Sequence, residues 1–128
     1  MTKLIIDATN EKIFLMIITK DDIYNITKEN TKINCEKLTL ILKDFLKLNS
    51  LKLQNIQKIY VNRGPGSFAG IRNSLSIIKA INVARKIDYY CYSLEDFKDQ
   101  KDVKYEDIPN LCDKFKIKKN LIKPIYLS

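Results

Sequence analysis

The sequence predicts a mixed α/β domain with the element order β-β-β-α-β-α-β. Three short apolar runs rich in β-branched residues open the chain, and a segment with helical spacing of its apolar residues follows them. A fourth strand-like run then leads through a glycine-rich turn into a second helical segment and a last strand. With 128 residues, 45% of them hydrophobic and 30% charged, the chain is long and apolar enough to form one globular core.

The first three strands are predicted at Leu4–Asp7, Ile13–Thr19 and Ile23–Thr27. Only a few polar residues separate the first two, and Lys20-Asp21-Asp22 forms a turn between the second and the third. Such short connections favour an antiparallel meander.

Two helices and two more strands follow. The first helix is predicted from Cys35 to Leu48 with Asn34 as its N-cap, and it leads to a strand at Ile56–Val61. The second begins at or beside Ser67, continues to about Lys86, and leads to a strand at 89–94. Each helix should join parallel strands by a right-handed crossover. A meander with two such crossovers is the topology of the ribonuclease H-like half of the actin, hexokinase and Hsp70 superfamily, so we predict that α/β fold for residues 1–97.

The remaining residues, 98–128, are predicted to form a short tail. Residues 98–104 are charged and aperiodic, which is typical of a linker, and Tyr105–Phe115 suits a short helix with Pro109 in its first turn. No repeat or second domain is visible.

Composition excludes several classes of function. The chain has no histidine, and its cysteines, Cys35, Cys91 and Cys112, are widely separated. Histidine-dependent hydrolases, Cys/His zinc sites and a disulfide framework are therefore not expected, and no metal site is predicted. No apolar run reaches the ~20 residues of a membrane helix, and no signal peptide is visible, so a cytoplasmic protein without a membrane partner is expected.

The net charge of +8 arises from 23 basic and 15 acidic residues, and 20 of the basic residues are lysine. A coat of solvated lysines is the favoured interpretation. A direct RNA-binding surface is the alternative, because a basic surface attracts phosphate.

All three glycines, Gly64, Gly66 and Gly70, lie between the fourth strand and the second helix. Glycine concentrated there indicates unusual dihedrals or close approach of the backbone. A strand, a glycine turn and a helix start can also hold an anion, although the lysine and hydroxyl of a phosphate-binding loop are missing. Phosphate binding and a tight turn anchored by Phe68 both stay open.

Asp7, with Thr9 beside it, is a second candidate site, because it ends the first strand. A carboxylate there could orient a magnesium–nucleotide complex. The alternative is that it caps the turn that follows, which is the commoner role of such an aspartate.

The segment Gly64-Pro65-Gly66-Ser67-Phe68-Ala69-Gly70-Ile71-Arg72 resembles the hallmark G-P-G-S-F-T-G-L-R of the TsaB (YeaZ-type) family, which serves synthesis of threonylcarbamoyladenosine in tRNA. Four further segments resemble family signals: Leu4–Thr9, Asn34-Cys35-Glu36, Ser93–Asp96 and Pro124–Leu127. Ala69 replaces a threonine and Asn34 a histidine of the family pattern.

The resemblance implies a non-catalytic scaffold that pairs with the catalytic subunit TsaD, with the ATPase TsaE joining them. It implies that the chain has no catalytic residue and no cofactor of its own, and that ATP acts at the level of the complex. It also implies that tRNA is contacted indirectly through the complex. A homodimer in the absence of the partner stays open. The partner interface it implies on the two helices consists of Leu38, Ile41, Leu42, Phe45, Ile71, Leu75 and Lys79, with Arg72 beside them.

One departure separates the chain from the family pattern. Family members carry a second domain where about thirty residues remain here, so residues 98–128 are interpreted as a short remnant in its place. In the superfamily, nucleotide lies between the two domains. A small nucleotide-binding protein or ATPase using Asp7 and the Gly64–Gly70 loop is therefore kept as the alternative function.

Overall fold

The computed structural model describes residues 1–126 and places five strands in one sheet of order β3-β2-β1-β4-β5. β1, β4 and β5 are parallel, and β2 is antiparallel to both β1 and β3. The predicted meander and parallel crossovers are therefore confirmed. The strands are β1 Thr2–Asp7, β2 Lys12–Ile18, β3 Ile23–Glu29, β4 Ile56–Asn62 and β5 Asp88–Tyr92.

Four α-helices accompany the sheet: α1 Lys32–Glu36, α2 Leu38–Leu48, α3 Phe68–Arg85 and α4 Ile108–Lys114. The first predicted helix is thus two helices, divided at Lys37, and Asn34 as its N-cap is wrong. Thr31 is the N-cap, because its side-chain oxygen accepts a hydrogen bond from the N–H of Asn34 at 3.1 Å. Asn34 instead donates from its side chain to the carbonyl of Glu29, which ties α1 to the end of β3.

The sheet is covered on both faces. Successive side chains of a strand point to opposite faces, so Leu4 and Ile6 of β1 pack under the helices while Ile5, between them, packs on the other side. The helix side is closed by α2 and α3, through a set of buried residues: Leu42, Phe45, Leu46, Ile71, Leu75 and Ile78. The opposite face is closed by residues that follow β5, namely Phe97, Ile108, Leu111 and Cys112, which pack on Met16, Tyr60 and Tyr92.

Residues beyond β5 are therefore an integral layer of the domain. Pro109 lies in the first turn of α4, as predicted. After α4 the chain passes β5, where Asn120 and Tyr89 exchange two hydrogen bonds, and Ile125 then donates to the carbonyl of Arg63 at 2.7 Å. The interpretation of residues 98–128 as a remnant of a second domain stays a prediction, and Leu127, the last residue of the terminal motif, lies outside the described residues.

Candidate functional site

The carboxylate of Asp7 lies buried where β1 ends and accepts four hydrogen bonds. Its Oδ1 accepts from the N–H of Thr9 at 3.0 Å and from the hydroxyl of Thr9 at 2.6 Å. Its Oδ2 accepts from Nδ2 of Asn62 at 3.1 Å and from the hydroxyl of Tyr105 at 2.8 Å. The bond from the N–H of Thr9 is the turn cap that the sequence suggested for Asp7, and the hydroxyl of Thr9 adds a second bond in the same turn. The other two bonds connect the carboxylate to β4 and to the segment before α4.

Asn62 joins this carboxylate to the glycine loop. While its amide nitrogen donates to Asp7, its Oδ1 accepts from the N–H of Gly64 at 2.9 Å. Sequence reasoning missed this residue, although a signal existed. Asn62 is the polar end of β4 just as Asp7 is the polar end of β1, and parallel neighbours end at the same edge of a sheet.

The glycine loop lies directly against the turn that follows β1. Gly64 has a φ of +113°, and a Cβ on Gly66 would lie 2.3 Å from the carbonyl oxygen of Thr9. A Cβ on Gly70 would lie only 1.9 Å from the carbonyl oxygen of Ala8. The expectation that these glycines permit an unusual dihedral and close backbone approach is therefore confirmed.

Three N–H groups of this loop, those of Gly64, Ser67 and Gly70, donate to acceptors within the protein. Ser67 donates from its N–H to the carbonyl of Thr9 at 2.9 Å, and its own side chain accepts from the N–H of Gly70 at 3.2 Å. An anion site needs several N–H groups that converge on open space. Because Gly64, Ser67 and Gly70 have internal acceptors, the geometry favours the tight turn that places α3 over phosphate binding.

Tyr105 covers Asp7 from above. Its ring stacks on that of Phe14, with the centroids 3.9 Å apart. Tyr105 borders both a cavity of 370 Å³ beside Asp7 and a groove of 690 Å³ lined by Lys12 and Thr27. Burial, and then the nearby Asp7 charge, raise the pKa of Tyr105. Sequence reasoning could not have found this contact, because 98 positions separate the two residues and Tyr105 belongs to no recognisable motif.

Replacing Tyr105 by phenylalanine should cost about 1–3 kcal/mol of stability at neutral pH, because the carboxylate of Asp7 loses a donor. The substitution should also change how steeply the free energy of unfolding falls at alkaline pH. The folded-state pKa of Tyr105 is raised above the unfolded value of about 10, so its contribution is complete below that pH and is lost as the pH rises through the folded value. Urea unfolding at neutral pH and above pH 10 should show a shallower alkaline loss for Tyr105→Phe than for wild type. Equal slopes would contradict this role.

Reactive side chains are scarce. Burial raises the pKa of both Cys91 and Cys112 to about 12, so neither thiol is a ready nucleophile. Within residues 1–126, no group of three His, Cys, Asp or Glu side chains is placed to hold a metal ion. In the same range no helix combines the length and the apolar character needed to cross a bilayer.

The interface predicted on the helices needs correction. Five of its seven residues are no more than 4% exposed and belong to the core, namely Leu38, Leu42, Phe45, Ile71 and Leu75. The physical reason is that a helix packed on a sheet directs its apolar stripe toward the sheet, so the stripe marks the core. Of the predicted set, Lys79 is exposed and Ile41 is half-buried.

A different apolar surface is accessible on the same helices. A groove of 890 Å³ runs between α2 and α3, and we call it the α2–α3 groove. Its walls combine apolar side chains with a rim of charge from Lys43, Asp44, Lys47 and Arg85, and its apolar lining includes Leu40, Leu51, Leu53, Ile77, Ala80 and Ile81.

The sheet order, the two crossovers and the helices packed on it define a ribonuclease H-like α/β domain. Solved structures share this fold. YeaZ from Pseudomonas aeruginosa matches with a TM-score of 0.66 and 20% identity, over 72% of this chain and 43% of that chain. RuvC from Thermus thermophilus matches with a TM-score of 0.50 and 9% identity, over 90% of this chain and 80% of that chain. The predicted fold class is confirmed.

Among curated proteins, the chain is similar to "tRNA threonylcarbamoyladenosine biosynthesis protein TsaB" of Buchnera aphidicola subsp. Baizongia pistaciae. The two are 28% identical over 88 residues, which cover 69% of this chain and 40% of that protein. No protein-family model matches the chain. The resemblance to the TsaB (YeaZ-type) family is thus confirmed, for a chain that spans about 40% of the length of this curated relative.

Proposed function

We propose that the protein serves the synthesis of threonylcarbamoyladenosine, the modified adenosine next to the anticodon of tRNA, as a non-catalytic scaffold in the cytoplasm. It pairs with a TsaD-like catalytic subunit, and a TsaE-like ATPase joins the pair. The observation that carries the proposal is the similarity to TsaB over 88 residues. The fold agrees, because YeaZ shares it.

Two features of the Asp7 region support a role without catalysis. The carboxylate accepts four hydrogen bonds from Thr9, Asn62 and Tyr105, and the Tyr105 side chain lies over it. A magnesium–nucleotide complex would have to displace Tyr105 and break that network. We therefore place ATP in the complex and assign this chain no cofactor of its own.

Calorimetric titration of the isolated chain with magnesium–ATP tests this point. We expect no heat at millimolar nucleotide, for the wild type and for Asp7→Asn alike. Saturable heat that Asp7→Asn abolishes would favour the alternative function of a small nucleotide-binding protein or ATPase.

The α2–α3 groove is the surface we assign to the catalytic partner. Its apolar lining and charged rim suit a protein interface, which has an apolar centre and a polar edge. Ile41 and Lys79 of the predicted set lie on the same two helices but do not line this groove. In the absence of the partner, the same groove would serve a homodimer.

A charge placed in the groove should abolish pairing. We expect Leu40→Asp combined with Ala80→Asp to weaken the complex with the TsaD-like subunit at least about tenfold, since an unpaired charge would be buried at the interface. Both side chains are exposed, so the free protein should keep its stability. The matched control is Ile23→Asp, an exposed apolar residue on β3. Size exclusion with the partner gives the readout.

The outcomes are distinct. Loss of the complex in the groove variant alone supports the assignment. Equal binding by all three proteins would place the interface elsewhere, and failure of the wild type to pair, with or without nucleotide, would overturn the proposed function.

A further inference from the structure

The net charge of the protein comes from two segments. Helix α3 with its C-cap Lys86, and residues 116–126, together contain eight basic side chains and no acidic one. The rest of the chain has 15 basic and 15 acidic residues and is neutral overall. The eight, all exposed, are Arg72, Lys79, Arg85, Lys86, Lys116, Lys118, Lys119 and Lys123. A uniform lysine coat, which the composition suggested, would not produce this division.

Of the second segment, residues 120–126 lie beside α3, whereas Lys119 lies beside β5. Asn120 is near Asn82, toward the C-terminal end of α3, with their side chains 3.4 Å apart. Further along, Ile122 and Pro124 border a cleft together with residues from the middle of α3, Leu75 and Lys79 among them. Tyr126 finally packs on Phe68 at the start of α3. Residues 120–126 thus run along α3 in the opposite direction, and we call the face formed by α3 and residues 120–126 the α3–tail surface.

Few of these charges are neutralised within the protein. In the part of the chain that the structure describes, Lys119 alone among the eight forms an ion pair, with Asp88 at 3.6 Å. Arg72 and Lys79 are exposed and border the cleft where α3 and the tail meet, and Lys123 is exposed on the tail between Ile122 and Pro124, two residues of that cleft. The cations of α3 form a row along the helix. At 1.5 Å per residue, the helix is about 27 Å long from Phe68 to Lys86.

Two aromatic rings are exposed at one end of this row. Phe68 is 51% exposed and Tyr126 39% exposed, and their centroids lie 4.6 Å apart. The guanidinium carbon of Arg72 lies 5.3 Å from the centroid of Phe68. Aromatic rings at the end of a cationic row are the arrangement with which proteins stack unpaired bases while they neutralise the phosphates.

We propose that the α3–tail surface binds RNA directly, through a loop or strand with unpaired bases. Phosphates lie along Arg72, Lys79 and Lys123, and a base stacks on Phe68 and Tyr126. The choice of RNA rests on the proposed function, and the proposal replaces the indirect tRNA contact expected from the resemblance with a direct one. A protein partner fits less well, because three of the five cations of this surface are lysine, a residue depleted in protein interfaces.

Fluorescence anisotropy of the full chain with a labelled RNA hairpin tests the electrostatic part. Arg72→Ala/Lys79→Ala/Lys123→Ala should weaken binding at least about tenfold and reduce the slope of log affinity against log salt by about two, because three phosphate contacts are lost. The matched control, Lys20→Ala/Lys37→Ala/Lys101→Ala, removes the same charge from exposed lysines elsewhere and should stay within about twofold of wild type. Equal losses of RNA affinity in both triple variants would overturn the proposal in favour of a uniform lysine coat.

The stacking part has its own variants. Phe68→Leu and Tyr126→Leu should each weaken hairpin binding about fivefold or more, and leave binding to a fully paired RNA duplex of the same length unchanged. Equal effects on hairpin and duplex would overturn the stacking role. The duplex also detects a variant whose tail has detached, since such a variant would lose both ligands.

The partner assay separates this proposal from the proposed function. A wild-type chain that pairs with the TsaD-like subunit but binds no hairpin overturns the RNA surface and leaves the scaffold role intact. A chain that binds the hairpin but not the TsaD-like subunit overturns the scaffold role and leaves the RNA surface intact. If the α3–tail triple variant keeps RNA binding and loses the partner, the surface is a protein interface and the proposal is wrong.

Discussion

Replacing Gly70 by alanine should destabilise the protein by about 3 kcal/mol or more. In an exposed helix the same change stabilises by about 1 kcal/mol, so even the sign of the effect is informative. The added Cβ would lie 1.9 Å from the carbonyl oxygen of Ala8 and 3.1 Å from its Cβ. The contact joins the first turn of α3 to the backbone just after β1, so neither side can rotate away as a side chain would.

Urea unfolding provides the measurement, since the midpoint shifts with stability while the slope reports the exposed surface. Ser76→Ala is the control, because Ser76 is exposed on the same helix and its replacement should be neutral or slightly stabilising. A Gly70→Ala protein as stable as the control would mean that α3 and β1 separate easily. The interpretation of the glycine loop as a tight packing turn would then be wrong.

Replacing Phe97 by alanine should cost about 3–5 kcal/mol. Phe97 is 2% exposed, and its ring lies 5.8 Å from that of Tyr92 in β5 and 5.7 Å from that of Phe115. It therefore fixes the layer that follows β5 to the second face of the sheet. Its truncation would leave a cavity that the neighbouring rings of Tyr92 and Phe115 cannot easily close.

Leu94→Ala is the matched control, a large apolar residue three positions earlier that is 55% exposed. We expect it to change stability by less than about 0.5 kcal/mol in the same urea titration. If Phe97→Ala were no more harmful than Leu94→Ala, residues 97–117 would not share the cooperative core. Hydrogen exchange would then show the second face opening separately from the rest of the sheet.

The sheet topology could be predicted because its signals are local. Apolar β-branched runs, short turns and two helical segments fix which strands pair with their neighbours along the chain. The cover of the second face was not predicted, although Leu4-Ile5-Ile6 contains a hint. Three consecutive apolar residues in a strand need partners on both faces, and one layer of helices covers only one of them.

The candidate site shows the same division between local and distant signals. The turn cap at Asp7 and the close approach of the glycines follow from neighbouring residues and were anticipated. The contact with Tyr105 depends on how the end of the chain folds back, which no local pattern specifies. The helix interface was misassigned because an apolar stripe looks alike whether it faces a sheet or a partner, and only the packing around Leu42 or Ile71 separates the two cases.

The hydrogen bonds between Tyr89 and Asn120 also bear on self-association. They occupy backbone groups on the outer side of β5, where a strand from another molecule could otherwise add to the sheet. The other border of the sheet is β3, where Asn25, Thr27 and Glu29 are exposed and polar. The fold therefore shields its more apolar border with its own chain and presents the more polar one to solvent, which limits aggregation through strand addition.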